Sequence, residues 1–322
     1  MAFELLPHLW TLGPRLRHAV RPRPNPGSTP WETVVEDSKL GPVRLTGRLR
    51  EVPGDAGDAG DAGDELLVLV HGLGGGTDSH YMLKGAEAAE AAGLSCLRLN
   101  LRGADRKGED FYHAGLTQDL HAALASPEAA RYRRIYMIGY SLGGHVTLRV
   151  ATEDADPRLA AVAAVCSPVD LARSADEIDA PGLGLYRWYL LRSLADIYRE
   201  VAARRPVPFP AERAGEIRFI REWDDKVVAP RHGFADASDY YARASVAPLL
   251  PGLRVPALLL NSECDPMVPA RAVRPALEGA SPLLRVAWAR GGHVAFPRAL
   301  NAGLGEGIGQ DAQVIGWLRS QP

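Results

Sequence analysis

Short apolar runs alternate with helix-length stretches along most of this 322-residue chain, and this alternation limits the possible folds more than any other feature. Six runs have the length and aliphatic composition of strands buried on both faces. They are ELLVLV (65–70), SCLRLN (95–100), RIYMIG (134–139), AVAAVC (161–166), PALLLN (256–261) and LLRVAWA (283–289). Helix candidates such as MLKGAEAAEAAG and LTQDLHAALAS lie between most of them. This order predicts an α/β fold with a mostly parallel central sheet and helices on both faces.

Two intervals depart from the alternation and suggest the domain organisation. The turn-rich segment RPRPNPGSTP (21–30) separates an N-terminal arm, residues 1–40, from a main domain over 41–322 that begins with the strand-like VRLTGRLREV. Between Asp170 and Pro251 no strand-like run occurs, and the interval is too long for a plain loop. We therefore expect a helical cap inserted at about 171–250, over the carboxyl edge of the sheet. The sequence does not decide whether the arm packs on the sheet or binds a partner.

A three-residue repeat, GDAGDAGDAGD (54–64), lies between the first two strand candidates of the main domain. Asp-Gly spacing can indicate calcium binding, but the twelve-residue loop pattern with its closing Glu is absent. The composition predicts a flexible, solvated hairpin loop instead.

Composition and charge exclude several classes of protein. A formal net charge of -2 gives no electrostatic reason to bind nucleic acid or an anionic membrane. The odd set of Cys96, Cys166 and Cys264 has no CxxC spacing, which favours reduced thiols in the cytoplasm. We find neither a signal-peptide pattern nor a stretch of 18 apolar residues that would span a membrane. The oligomeric state is not indicated.

The segment GYSLGG places Ser141 directly after a predicted strand and directly before a predicted helix. Strand and helix backbones pass close together at such a turn, so it needs small neighbours, and Gly139, Gly143 and Gly144 provide them. A glycine-flanked serine alone is more often a turn residue than a nucleophile. At the carboxyl end of a central strand, however, the serine occupies the edge where open α/β sheets bind ligands.

A serine nucleophile needs a base, and the base needs an acid that orients it. In this fold class the acid and then the histidine follow later strands. Asp265 follows PALLLN, and His293 lies in a glycine-rich turn after LLRVAWA. No other histidine lies C-terminal to Asp265. We predict a triad of Ser141, Asp265 and His293.

The oxyanion of a tetrahedral intermediate requires two fixed N–H donors. Leu142, the residue after the candidate nucleophile, is expected to supply one. The loop HGLGGG after the strand ELLVLV is expected to supply the other, from Leu73 or alternatively from Gly74. GLGGG is not a nucleotide-binding loop, since neither Gly-Lys-Ser/Thr nor G-x-G-x-x-G spacing is present. No metal or organic cofactor is implied.

Several segments of the chain are similar to known proteins in the same order. They are HGLGGG, NLRGAD, FYHAGLTQDL, GYSLGG, REWDDKVVAPRHGFADASDYYARAS and GGHVAF. Through them the chain resembles the YheT-like branch of the α/β-hydrolase superfamily, from about Pro7 to about Trp317. The resemblance implies Ser141 as nucleophile, Asp265 as acid and His293 as base. It also implies hydrolysis of carboxylic esters, and some relatives act on phospholipids or transfer medium-chain acyl groups to alcohols.

The chain departs from the family pattern at several positions that bear on substrate preference. Cys264 precedes Asp265 where relatives often carry two adjacent acids, Leu116 stands where Glu is common, and RGADRKGED lacks the usual Cys-Ser after Arg-Gly. The expected reaction is cleavage of small-molecule esters with short to medium acyl chains, or of lipid-like esters. Two alternatives use the same residues: an acyltransferase or thioesterase, and a non-catalytic protein that binds a hydrophobic ligand in a hydrolase shell.

Two further residue groups lie in or near the expected cap. His113, Asp224, Asp225 and His232 are predicted to form a buried network that ties the cap to the sheet, with direct substrate contact as the alternative. The helical stripe Leu185, Trp188, Tyr189, Leu191 and Leu194 would line an acyl pocket or pack as ordinary core.

Overall fold

The computed structural model describes residues 2–52, 62–153 and 156–322. Most of the Asp-Ala-Gly repeat falls at 53–61, so the flexibility predicted for that segment concerns residues outside the described chain.

Eight strands of the described chain form one sheet in the order β1-β2-β4-β3-β5-β6-β7-β8. The β1/β2 and β2/β4 pairs are antiparallel, and the other five pairs are parallel. The predicted mostly parallel α/β sheet is confirmed. The strands are β1 (Thr29–Asp37), β2 (Gly41–Arg50), β3 (Glu65–Val70), β4 (Ser95–Asn100), β5 (Arg134–Tyr140), β6 (Leu159–Val165), β7 (Ala257–Ser262) and β8 (Leu284–Ala289).

The antiparallel end of the sheet differs from the expectations in two ways. Strand β1 lies within the segment assigned to the N-terminal arm, 1–40, yet it pairs with β2 along its whole length, so the sheet begins before residue 41. The repeat-containing segment was expected to be a hairpin loop, but β2 and β3 are not neighbours because β4 lies between them. The two strands on either side of the segment therefore do not form a hairpin.

Twelve α-helices of the described chain accompany the sheet. They are α1 (Ala2–Val20), α2 (His80–Ala91), α3 (Gln118–Leu124), α4 (Pro127–Ala130), α5 (Leu142–Val150), α6 (Leu171–Asp179), α7 (Gly184–Ala202), α8 (Ile220–Trp223), α9 (Ala229–His232), α10 (Ala237–Ala244), α11 (Ala270–Val273) and α12 (Gln310–Arg319). A π-helix, Asp224–Val228, joins α8 to α9, and short 3-10 helices occupy Ala62–Asp64, Ala211–Glu216, Ala247–Gly252 and Arg274–Leu277. None of the described helices is long and apolar enough to cross a membrane.

The alternation of side chains along the central strands divides the core into two layers. On β3, Leu66 and Val68 face the layer that contains α3, α5 and the α6–α10 region, whereas Leu67 and Leu69 face the layer that contains α2 and α12. All four side chains are almost completely buried. Burial on both faces explains why the strands are continuous apolar runs, and it leaves only the strand ends free to carry polar side chains.

Arg102 lies just after β4 and forms the centre of a buried ionic cluster. Its guanidinium donates to Asp119 Oδ1 from Nε (2.9 Å) and Nη2 (2.7 Å), and from Nη1 to Asp37 Oδ2 (2.8 Å) and Asp110 Oδ2 (3.2 Å). Arg231 in α9 donates to the other oxygen of Asp110 at 2.8 Å. The cluster thus joins β1, the loop after β4, α3 and the cap.

Replacing Arg102 by Met should lower the free energy of unfolding by about 3–5 kcal/mol, because three carboxylates would lose a buried partner. Urea unfolding followed by circular dichroism measures this loss. Arg213→Ala, which removes a surface ion pair with Glu216, is the control and should change stability by less than about 0.5 kcal/mol. An equal effect of the two substitutions would contradict the central role of Arg102.

Candidate active site

Ser141 occupies the sharp turn between β5 and α5. Its backbone has φ +52° and ψ −122°, a region that side-chain-bearing residues rarely adopt. Space at this turn is limited by the chain itself: a Cβ on Gly143 would lie 2.4 Å from the backbone oxygens of both Val70 and His71. The glycine therefore lets α5 begin directly against the end of β3, and Ser141 is held at the carboxyl edge of the sheet beside the loop that follows β3.

The loop after β3 leaves one amide hydrogen available near Ser141. Gly74 N–H donates to Tyr112 Oη at 2.6 Å and Gly75 N–H donates to the Gly72 carbonyl at 3.0 Å. Leu73 N–H has no acceptor among the described residues, and the loop is close enough to the serine that a Cβ on Gly72 would lie 3.0 Å from Ser141 Cβ. Of the two donors that the sequence left open, Leu73 is the one that remains free.

Leu142 is the first residue of α5, so its N–H points out of the helix start and has no helical acceptor. Leu142 and Leu73 both line the cavity that contains Ser141. The two residues that were predicted to supply the oxyanion donors therefore border the same cavity as Ser141, and their role stays a prediction.

Asp265 and His293 follow β7 and β8, which are neighbouring parallel strands, so their loops meet at the same edge. His293 Nδ1 lies 2.8 Å from Asp265 Oδ2. The other oxygen, Asp265 Oδ1, accepts from the N–H groups of Met267 (2.8 Å) and Val268 (2.9 Å), which fixes the carboxylate plane. An ionised carboxylate can only accept, so the tautomer that suits this contact has its hydrogen on Nδ1 and leaves Nε2 as the acceptor nitrogen.

Ser141 and His293 line the same cavity. Within the described chain, Ser141 Oγ makes no hydrogen bond to His293 Nε2 in this structure. Hydrogen bonds between a nucleophile and its base are often long before substrate binds, so this geometry is compatible with a working pair.

The N-terminal helix α1 packs against the turn that carries His293. Thr11 Oγ1 accepts a hydrogen bond from His293 N–H at 2.8 Å, and a Cβ on Gly292 would lie 2.6 Å from a backbone oxygen of α1. Nearer the start of α1, His8 Nδ1 lies 2.8 Å from the hydroxyl of Tyr186 in α7. The question that the sequence left open is answered: the arm packs on the site and on the cap.

The cavity has a volume of about 400 Å³, within the range of about 300–1,000 Å³ that is typical of small-molecule sites. Most of its lining is apolar, and it is formed by α1, the β3 and β5 ends, the His293 turn and the cap. Residues of the segment that was predicted as a cap thus line the same largely apolar cavity as Ser141.

The stripe of apolar residues predicted on α7 divides between three environments. Tyr189 and Leu194 line the cavity, and Leu191 is buried in the core. Leu185 and Trp188 are 61% and 52% exposed. The stripe is therefore neither a complete pocket wall nor uniform core.

His113 and His232 contact each other, with ring centroids 4.4 Å apart. Burial lowers the pKa of His232 to about 4 and holds the pKa of His113 well below its ordinary value, so both rings are neutral near neutral pH. His113 also lines the cavity. The pair connects the loop after β4 to α9, which lies in the predicted cap.

The two aspartates of the same prediction form hydrogen bonds with residues other than the two histidines. Asp225 Oδ1 accepts from Ala237 N–H at 3.2 Å, at the start of α10. Asp224 Oδ2 accepts from the hydroxyl of Tyr241 at 2.7 Å, and Asp224 lines the cavity. The four residues thus form separate contacts rather than one hydrogen-bonded network among the described residues.

Sequence reasoning missed Cys166 as a neighbour of the acid and the base. Ligand atoms of Cys166, Asp265 and His293 all lie within 4.8 Å of one another. Burial, reinforced by the Asp265 charge, raises the pKa of the Cys166 thiol well above its ordinary value, so the sulfur stays protonated and is a poor metal ligand. The only sequence signal was its position at the end of the predicted strand AVAAVC, beside the strand that precedes Asp265.

Comparisons with known proteins agree with this architecture. The model of the family described as "Alpha/beta hydrolase family" matches residues 67–302. The chain is 31% identical over 245 residues to the Escherichia coli protein named "Putative esterase YheT", covering 71% of this chain and 70% of that protein. It is 26% identical over 231 residues to a Saccharomyces cerevisiae monoacylglycerol lipase, covering 67% of this chain and 51% of that protein. The resemblance inferred from the sequence motifs is confirmed, although the match spans only about half of the yeast relative.

Solved structures show the same fold. An esterase from Pyrococcus furiosus, Pf2001, matches with a TM-score of 0.53 and 17% identity over 83% of both chains. The α/β hydrolase GrgF from Penicillium matches with a TM-score of 0.52 and 19% identity, covering 82% of this chain and 91% of that one.

Gly143→Ala should destabilise the protein by about 1–3 kcal/mol or more, because the added methyl group would overlap two backbone oxygens. Gly13→Ala is the matched control: Gly13 lies inside α1 with no atom near the added methyl group, so the change should stabilise by up to about 1 kcal/mol. Thermal unfolding of both variants measures the difference, and effects of the same sign would contradict the proposed tight turn.

Burial raises the pKa of Asp224 from an ordinary value of 3.8 to about 7, with smaller effects from Tyr241 (lowering), Asp179 (raising) and Arg221 (lowering). Between about pH 4 and pH 7 the unfolded chain therefore ionises this carboxyl while the folded chain still holds the proton. Its contribution to stability is complete below pH 4 and is lost as the pH rises through 7.

The free energy of unfolding of the wild type should consequently fall relative to that of Asp224→Asn as the pH rises from 4 to 8. Urea unfolding measures the free energy of both proteins at each pH. Other titrating groups contribute equally to the two proteins, so their effect cancels when one value is subtracted from the other. A difference that does not change with pH would contradict the raised pKa.

Proposed function

Since this chain belongs to the alpha/beta hydrolase family, we propose that it is a serine hydrolase that cleaves carboxylic esters through an acyl-enzyme intermediate. The observation that carries the proposal is the Asp265–His293 hydrogen bond of 2.8 Å beside a cavity that also contains the strained Ser141 turn. A nucleophile on a strand-to-helix turn, a base and an orienting acid are the parts that this reaction needs.

In the proposed mechanism Ser141 Oγ attacks the ester carbonyl carbon while His293 Nε2 takes the hydroxyl proton. Asp265 holds the imidazole in place and stabilises the imidazolium that forms. The carbonyl oxygen becomes an oxyanion, which the N–H groups of Leu73 and Leu142 stabilise. Collapse of this intermediate breaks the bond to the alkoxy oxygen, which takes the proton from His293 Nε2 and leaves as the alcohol.

The acyl-enzyme is then hydrolysed by the same groups in reverse roles. His293 removes a proton from water, the hydroxide adds to the acyl carbon, and Ser141 leaves with the proton returned from His293. The acid is released and the free enzyme is restored.

The substrate class that we propose is an acyl ester with a short to medium acyl chain, or a lipid-like ester. The mostly apolar cavity of about 400 Å³ supports an acyl group of this kind. Relatives named as a monoacylglycerol lipase and as a medium-chain fatty acid ethyl ester synthase/esterase point in the same direction. The cytoplasmic location and the absence of nucleic-acid partners stay predictions of the sequence alone.

A fluorophosphonate probe tests the nucleophile directly. The wild type should be labelled, and Ser141→Ala should not be labelled and should lose at least about 10,000-fold in kcat toward p-nitrophenyl butyrate. Ser126→Ala is the matched control, since this buried serine caps α4 and lies outside the cavity lining, so labelling should persist. Absence of labelling in the wild type would favour a ligand-binding protein instead of an enzyme.

A p-nitrophenyl ester series from acetate to palmitate then measures the acyl pocket. We expect kcat/KM to rise from acetate to medium chains and to fall for palmitate, because the cavity is apolar and limited in volume. A fall beyond acetate would contradict an apolar acyl pocket.

A further inference from the structure

Asp224 is a carboxylate in the cavity that ester cleavage by Ser141, Asp265 and His293 does not require. The residue is only 9% exposed, and it lines the same cavity as Ser141. It begins the π-helix Asp224–Val228, a rare conformation that occurs frequently at functional sites. The surrounding lining comes from the apolar and aromatic side chains of the cap.

One oxygen of this carboxylate is available to a ligand. Asp224 Oδ2 accepts from Tyr241 Oη at 2.7 Å, whereas Oδ1 makes no hydrogen bond within the described residues. Although it has no hydrogen bond, Oδ1 is not one of the polar atoms that the protein encloses completely, so part of its surface is accessible. Asp224 also lines the cavity that would hold the substrate.

The contacts of Asp224 are not those of a structural ion pair. No Lys or Arg side chain of the described chain lies within ion-pair distance of it, and the nearby Arg221 bonds to Asp176 instead. Asp179, a neighbouring acid, shows the structural arrangement: both of its oxygens accept backbone N–H groups, from Ile220 and Arg221. A buried carboxylate with an open oxygen is costly to keep unless a donor binds it.

We propose that Asp224 Oδ1 accepts a hydrogen bond from a hydroxyl group of the substrate, so that the enzyme prefers hydroxylated esters over their plain analogues. This assignment rests on the proposed ester hydrolase function. A neutral hydroxyl fits better than an ammonium, since the mostly apolar cavity would strip an ammonium of its water. The hydroxyl belongs either to the acyl chain or to the alcohol part of the ester, and the test separates the two.

The assays are run at about pH 8.5, above the raised pKa of about 7, so that the Asp224 carboxyl is ionised. The size of the expected preference then follows from the energy of a hydrogen bond to a charged group. Such bonds contribute about 1.5–3 kcal/mol, which corresponds to about 10–100-fold in kcat/KM. Sites built to bind a hydroxyl also discriminate strongly, because an analogue without it leaves the buried acceptor unpaired.

Two matched substrate pairs test the assignment. The first compares p-nitrophenyl esters of an ω-hydroxyalkanoic acid and of the unsubstituted acid of the same length. The second compares the glycerol monoester and the propyl ester of one medium-chain acid. The wild type should prefer the hydroxylated member of one pair by about 10–100-fold in kcat/KM, and that pair identifies which part of the ester carries the hydroxyl.

Asp224→Leu should bring the preferred ratio close to one while plain esters are still cleaved, and Asp224→Asn, which keeps the shape, should lower it several-fold. Asp225→Asn is the matched control, because this neighbouring acid accepts from Ala237 N–H and lies outside the lining of the cavity, so the preference should persist. A purely structural Asp224 would make the Asp224→Leu variant unstable and leave the substrate ratio unchanged, which would overturn the assignment.

The failure of this inference differs from the failure of the proposed function. If the wild type cleaves plain esters and shows no preference in either pair, the role of Asp224 is overturned and the hydrolase function stands. If no ester is cleaved and the fluorophosphonate probe does not label Ser141, both are overturned.

Discussion

The start of α5 lies so close to the carboxyl end of β3 that a side chain at Gly143 would overlap the backbone oxygens of Val70 and His71. This constraint places the start of α5 against the loop after β3 and holds Ser141 in a positive-φ conformation that costs about 1–3 kcal/mol. The surrounding parallel strands keep the strain in place. The same contact brings the loop that carries Leu73 beside the Ser141 turn, and both residues line the cavity.

The rest of the site is attached to this turn by elements distant in sequence. The His293 turn is held on one side by Asp265 and on the other by Thr11 of α1, which accepts the backbone N–H of His293. The cap is joined to the sheet through Arg102, whose carboxylate partner Asp110 also binds a cap arginine. The arm and the cap therefore both help to hold the candidate active site in place.

The burial of Asp224 shows how stability and specificity act in opposite directions in the cavity. Burial raises its pKa to about 7, so ionisation of this carboxyl near neutral pH lowers the stability of the folded chain. The hydrogen bond from Tyr241 satisfies one oxygen and leaves the other open. A protein keeps such a group at a cost in stability when the group serves binding, which is the role proposed for it.

Local patterns were sufficient to predict the six central strands, the turn at Ser141 and the position of His293 after the last strand. The reason is that the apolar run of a buried strand and the residue types of a turn depend only on residues close together in the chain. The spatial meeting of these residues followed from a general property of parallel sheets, whose strands end at one edge. Only the tertiary structure decided that β1 joins the sheet, that Thr11 supports the His293 turn, that Leu73 keeps its N–H free and that Asp224 faces the cavity. Each of these depends on contacts between segments far apart in the chain, and periodicity along one segment carries no information about its partner.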